Sequence, residues 1–120
     1  MTLKKIVENF YKSDALIDSG LMGSFLHPEV VLDWNSSKGF LQLKRDEILA
    51  LSSELEKAYA GSHARISHIL GEGNLVSVRY SQYVKTIENP REEMLLAHFI
   101  VIWEIRDGKL YRGYQMTQLY

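Results

Sequence analysis

The sequence predicts an α+β domain in which helices pack on one face of a curved, mainly antiparallel sheet. Three observations carry that class. Apolar residues recur at helical spacing in three stretches before Gly61, the chain after Gly61 reads almost wholly as strand, and its last quarter is a β-hairpin. The hairpin joins two β-branched and aromatic runs, Leu95 to Ile105 and Leu110 to Tyr120, through Arg106-Asp107-Gly108-Lys109, where Asp-Gly tolerates positive φ. Both alternating sets of its first strand are apolar. Leu95, Ala97, Phe99, Val101, Trp103 and Ile105 form one, and Leu96, Ile100 and Ile102 with His98 and Glu104 the other, so each face of the sheet needs a cover.

From the start, Leu3, Ile6, Val7, Phe10 and Tyr11 make one stripe of a first helix predicted to run to about Leu16. Asp18-Ser19-Gly20 breaks it. Leu21, Met22, Phe25 and Leu26 then form a short second helix that must end before Pro28, since the residue preceding a proline is pushed out of the α region. A short strand, Glu29 to Trp34, a turn over Asn35 to Gly39 and a second strand, Phe40 to Leu43, follow. Ile48, Leu51, Leu55 and Tyr59 mark the third and longest helix, with Asp46 and Glu47 suited to its N-terminal dipole and Gly61 at its end. Strands are predicted over Ala64–Leu70 and Leu75–Val84. In the second of these Val76, Val78, Tyr80 and Val84 form the apolar side and Ser77, Arg79 and Ser81 the wet one. A polar loop, Thr86 to Glu93, leads into the hairpin.

Composition removes several classes of function. The 120 residues suit one domain, and 46% hydrophobic with 24% charged residues is ordinary globular composition. A net charge of −1 with interspersed signs gives no basic field for a phosphate backbone, so no nucleic-acid partner is expected. Cysteine is absent, which excludes disulfides, thiol nucleophiles and thiolate metal sites. The amphipathic N-terminus has no signal-peptide block and no apolar run reaches spanning length, so a cytoplasmic location without a membrane partner is expected. No phosphate-binding glycine loop, Ser-His-Asp set or His-Glu-x-x-His is present, and no cofactor or metal is expected.

The order of elements, and the phrases Asp18-Ser-Gly-Leu-Met-Gly-Ser-Phe-Leu-His-Pro-Glu-Val-Val-Leu32 and Asp107-Gly-Lys-Leu110, resemble the nuclear-transport-factor-2-like superfamily, particularly its SnoaL-like branch. The resemblance spans nearly the whole chain and implies a cystatin-like cone: a strongly bent sheet wrapped round three helices, with an apolar pocket at the open end and dimers through the sheet's outer face. That superfamily includes isomerases, cyclases, dehydratases and epoxide hydrolases beside members that only bind, so the fold does not decide the function. The ketosteroid isomerases place a base aspartate where this chain has Trp34 and a second acid near Phe99 or Val101, so both acids are missing. Their first-helix tyrosine corresponds to Tyr11. Asp33 is turned to the other face by alternation.

The expected pocket is therefore Trp34, Phe99, Val101, Trp103, Gln115 and Thr117, for a small apolar molecule, although the same aromatics would also serve as plain core. His68 and Tyr80 are the candidate catalytic residues. His68 qualifies if it shares a face with Ile66 and Leu70 and so approaches Tyr80. The face of the last strand depends on the turn: a three-residue loop pairs Ile105 with Lys109 and puts Gln115 and Thr117 on the Trp103 side, whereas a two-residue loop pairs Ile105 with Leu110 and moves Arg112 and Tyr114 there. The three-residue loop is the expectation. Leu96, His98, Ile100, Ile102, Tyr114 and Met116 then form the outer face, expected to be a homodimer interface. The leading function is a ligand-binding cone. The alternatives are a SnoaL-like cyclase, isomerase or dehydratase using His68 or Tyr80 with Gln115, and a structural or protein-binding module.

Overall fold

Thr2 accepts a hydrogen bond from the Lys5 amide (3.2 Å) and starts helix α1, Leu3–Lys12, which buries Val7, Phe10 and Tyr11. The helix stops short of Leu16 because Ser13 intervenes. Its hydroxyl donates to the Phe10 carbonyl (2.6 Å) and accepts from the Ala15 amide (3.2 Å), and the chain continues as a 3₁₀ turn over Ala15–Ile17. Asp18 caps α2, Ser19–Phe25, by accepting from the Leu21 amide at 3.0 Å. The structure, a computed structural model, describes residues 2–119; Tyr120, the last residue of the predicted hairpin, lies outside them.

Strand β1, Leu26–Ser36, begins before the predicted Glu29 and takes in His27 and Pro28. Its pairing is irregular between Leu26 and Val31, so Pro28 has no ladder amide to supply. β2 is Gly39–Lys44 and α3 is Arg45–Ala58. The Glu47 carboxylate accepts from the Lys44 amide (3.0 Å) at the start of α3. Two further bonds seat this helix: the buried Ser52 hydroxyl donates to the Ala15 carbonyl (2.8 Å), and Arg45 donates to the Gly23 carbonyl (3.1 Å). Strands β3 (Tyr59–Glu72), β4 (Leu75–Thr86), β5 (Glu93–Arg106) and β6 (Lys109–Leu119) complete one six-stranded sheet of order β2-β1-β6-β5-β4-β3. All neighbours are antiparallel except β1 and β6, which run parallel. The sheet is bent, the helices cover its inner side, and the core lies between them. Among the described residues no helix is long and apolar enough to cross a membrane.

Three irregularities decide which side chains face inward. The hairpin turn is the two-residue one: Arg106 pairs with Lys109 and Ile105 with Leu110, with Asp107 at φ 55° and Gly108 at φ 72°. Taken alone, that loop would turn Arg112 inward. A bulge at Tyr111 restores the parity, so Glu104 faces Arg112, Trp103 faces Gly113 and Val101 faces Gln115. Arg106 and Arg112 hold the bulged ring, with guanidinium carbons 4.1 and 4.0 Å from its centroid. The expected three-residue loop is thus wrong, while the faces expected from it are right. In β3 a second bulge, at Ser67, pairs Ile66 with Tyr80 but His68 with Arg79. His68 and Leu70 are therefore exposed, opposite in facing to Ile66 and Ile69, and the expected approach of His68 to Tyr80 does not occur. A third bulge, at Leu96 between the Leu95–Tyr83 and Ala97–Gln82 pairs, tucks Leu96 against the core instead of into the outer row.

Candidate functional site

The inner face of the sheet and the helices enclose a cavity of about 80 Å³. α1 supplies Phe10 and Tyr11 because its stripe turns both inward. β4 supplies Tyr80 and Gln82 by alternation, β5 supplies Phe99 and Trp103, and β1 and β6 supply Trp34 and Gln115, which are cross-strand partners. Leu51 and Leu55 of α3, with Leu16 of the 3₁₀ turn, are half-buried members of the wall. Trp34, Phe99, Trp103 and Gln115 are therefore brought together. Val101 is fully buried in the core without reaching the cavity, and Thr117 stands beyond Trp34, accepting a bond from its indole N–H at 2.7 Å.

An aromatic chain, of which all but Phe25 line the cavity, forms the floor. Phe25, Phe10, Tyr11, Tyr80 and Phe99 succeed one another with centroids 4.5–5.2 Å apart, and the Tyr80 and Phe99 rings are stacked with planes 2° apart. The buried Trp103 indole donates to the Tyr11 hydroxyl at 2.8 Å. Glycine makes room for this indole: a Cβ on Gly113 would stand 2.6 Å from the Trp103 ring and 2.7 Å from a Leu32 methyl. Burial pushes the Tyr11 phenol well above its ordinary range, and burial followed by the neighbouring Tyr11 does the same to Tyr80. Both are neutral hydrogen-bonding groups, not bases.

Besides the tyrosine hydroxyls and indole N–H groups, the polar part of the lining is two carboxamides. Gln82 donates to the Ser62 hydroxyl at 3.1 Å. Gln115 is only 7% exposed and has no hydrogen-bonding partner among the described residues. No fully sealed side-chain nitrogen or oxygen among these residues lacks a partner, so the Gln115 carboxamide is open to the cavity. Among the described residues no carboxylate, imidazole, amine or guanidinium lines it. His68 lies outside, its Nδ1 3.0 Å from the Ser67 hydroxyl. Sequence reasoning missed Gln82, although alternation from Val76, Val78 and Tyr80 places it inward, and missed Phe10 and Gly113, whose roles follow from neighbours distant in the chain.

Residues 7–113 match the family of the SnoaL-like domain. The chain belongs to that family. No curated protein matches this SnoaL-like chain in sequence. Among solved structures it is similar to IdmH of Streptomyces antibioticus, described as a candidate polyketide cyclase, with a TM-score of 0.74 at 14% identity over 98% of this chain and 92% of that one. It is also similar to an epoxide hydrolase of the LEH-like kind from M. tuberculosis (TM-score 0.72, 15% identity, 96% of this chain and 81% of that one). A third likeness is to a Catenulispora acidiphila protein of ketosteroid isomerase-like fold in complex with trimethylamine (TM-score 0.70, 12% identity, 92% and 82%). These likenesses establish the fold of the nuclear-transport-factor-2-like superfamily and leave the chemistry to this chain's own residues.

Proposed function

We propose that this SnoaL-like domain binds a small, uncharged, largely apolar molecule beneath Trp34 and hydrogen-bonds one polar group of it through Gln115. The observation that carries the reading is an apolar, aromatic cavity onto which a nearly buried carboxamide opens without a partner among the described residues. A carboxamide left unpaired there has a free donor and acceptor, so a carbonyl or hydroxyl brought to it completes a bond that no described residue completes. The SnoaL-like cyclase, isomerase or dehydratase alternative needs a base within reach of the substrate. Tyr80 is a poor one because burial holds its phenol protonated, and His68 is outside the cavity. Tyr80 suits the role of a neutral donor.

The cavity, about 80 Å³, is smaller than most small-molecule sites, so its occupant is small. Titration with 2-hexanone, followed by the side-chain amide resonances of Gln115, tests the reading. Binding with a shift of those resonances is expected, and Gln115→Leu should weaken it about tenfold, the upper range for one neutral hydrogen bond. His68→Gln should leave it unchanged. Resonances that stay fixed up to the solubility of the ketone would mean that the aromatics are plain core.

We propose also that the outer face of the sheet closes on a second copy of the chain. Ile100 pairs with Met116 and Ile102 with Tyr114, all four large and exposed, so they form one contiguous apolar patch beside His98.

A further inference from the structure

The cavity stops at Trp34, but the concave face of the sheet does not. Beyond the indole lies a groove of about 300 Å³, lined by Trp34 itself with Leu41, Thr117 and Leu119 of the same face, and at the edge by Phe40 and the 36–39 turn that carries Lys38. The two spaces share one wall, the Trp34 side chain. That wall is held lightly. Trp34 is half-buried and its indole N–H is latched to the Thr117 hydroxyl at 2.7 Å in a partly exposed position, whereas the Trp103 indole is buried with Tyr11. Gln115, the unpartnered carboxamide, is the cross-strand partner of Trp34 and so sits at the level of this wall.

From this we propose that Trp34 is a gate between two halves of one ligand site, latched by Thr117, and that the site takes an elongated, uncharged molecule with a hydrogen-bonding group near its middle. The proposal rests on the cavity reading above and extends it. The inner apolar end fills the cavity, a carbonyl or hydroxyl meets Gln115, and the outer apolar end lies in the groove against Leu41 and Leu119. Size favours this occupant. The cavity by itself is well below the ~300–1000 Å³ of typical small-molecule sites, and joined to the groove it enters that range. One exposed-side hydrogen bond is a modest barrier to the swing of the indole.

Two ketones separate the halves. 2-Hexanone has one butyl arm to place in the cavity with its carbonyl at Gln115; 5-nonanone has a second butyl arm, which under the proposal extends past Trp34 into the groove. Two-dimensional ¹⁵N spectra give one indole N–H peak for each tryptophan, and Trp34→Phe assigns them. 5-Nonanone should move the Trp34 indole peak strongly and the Trp103 peak little, while 2-hexanone moves the Gln115 amide and leaves the Trp34 indole near its free position. Thr117→Val removes the latch and should tighten 5-nonanone about fivefold without changing 2-hexanone, and Thr117→Ser, which keeps the hydroxyl, should behave as wild type. If 2-hexanone binds but 5-nonanone does not, or binds with the Trp34 peak unmoved and no response to Thr117→Val, the gate is wrong and the cavity reading stands. If neither ketone shifts the Gln115 amide, both fall.

Discussion

Tyr11 and Tyr80 are the two ionisable side chains whose protonation the core constrains most. Both phenols are buried and pushed above their ordinary value of 10.0, so the sign of their effect on stability is fixed. Below pH ~10 the folded and unfolded chains both keep these protons; above it the unfolded chain releases them and the folded one does not. Stability is therefore lost as pH rises past 10, at up to about 1.4 kcal/mol per pH unit for each phenol. Tyr80→Phe should flatten that decline by one phenol's share, read from urea unfolding midpoints between pH 9 and 11.5. An equal slope in the variant would mean that Tyr80 titrates in the fold. Tyr11→Phe acts differently, because it strands the buried Trp103 indole N–H, and should cost about 1–3 kcal/mol already at neutral pH.

At the scale of elements, β6 is where small local features have large consequences. Its hairpin turn and the bulge at Tyr111 each shift the strand by one residue, and only their sum keeps Gln115 facing the cavity and Tyr114 facing out. Deleting Tyr111 should remove the bulge yet leave Arg112 opposite Glu104 and Gln115 opposite Val101, so the variant is expected to fold with every facing beyond it kept and to bind 2-hexanone; loss of binding would mean that the bulge itself shapes the cavity. Gly113 is the second such feature. Trp103 and Leu32 leave no space for a methyl there, and two well-packed walls yield little, so Gly113→Ala should destabilise by about 2–3 kcal/mol, measured by denaturant melts. A variant within 0.5 kcal/mol of wild type would show that the indole can slide.

For the whole molecule the question is what covers the outer face. Helices lie on the inner side, yet Ile100 is 51% and Met116 65% exposed on the other, next to Ile102 and Tyr114. An apolar patch of this kind on a bent sheet is economically covered by its own copy across a two-fold axis. Wild type is expected to sediment as a dimer at micromolar concentration. Ile100→Glu places a charge in the middle of the contact and should give monomers. A monomeric wild type, or a dimeric variant, would assign this face to a different cover.

The class, the order of helices and strands and the inner aromatic face are legible from residue order alone, because they rest on periodicity and turn chemistry, which act over a few residues. The pairing of Trp34, Phe99 and Trp103 across one space followed from alternation within strands of known facing. Tertiary structure decided what depends on single-residue shifts and on distant partners. The bulge at Ser67 turned His68 outward, the bulge at Leu96 withdrew that side chain from the outer row, and the bulge at Tyr111 rescued a facing derived from the wrong loop. A bulge costs the chain little locally and is selected by how whole strands fit a curved sheet, so no short window of sequence announces it. Likewise the fit of Trp103 over Gly113, the link of Tyr11 to Trp103 and the latch of Trp34 on Thr117 join residues 10 to 92 positions apart. Side chains that far apart meet only after the sheet has bent round its helices.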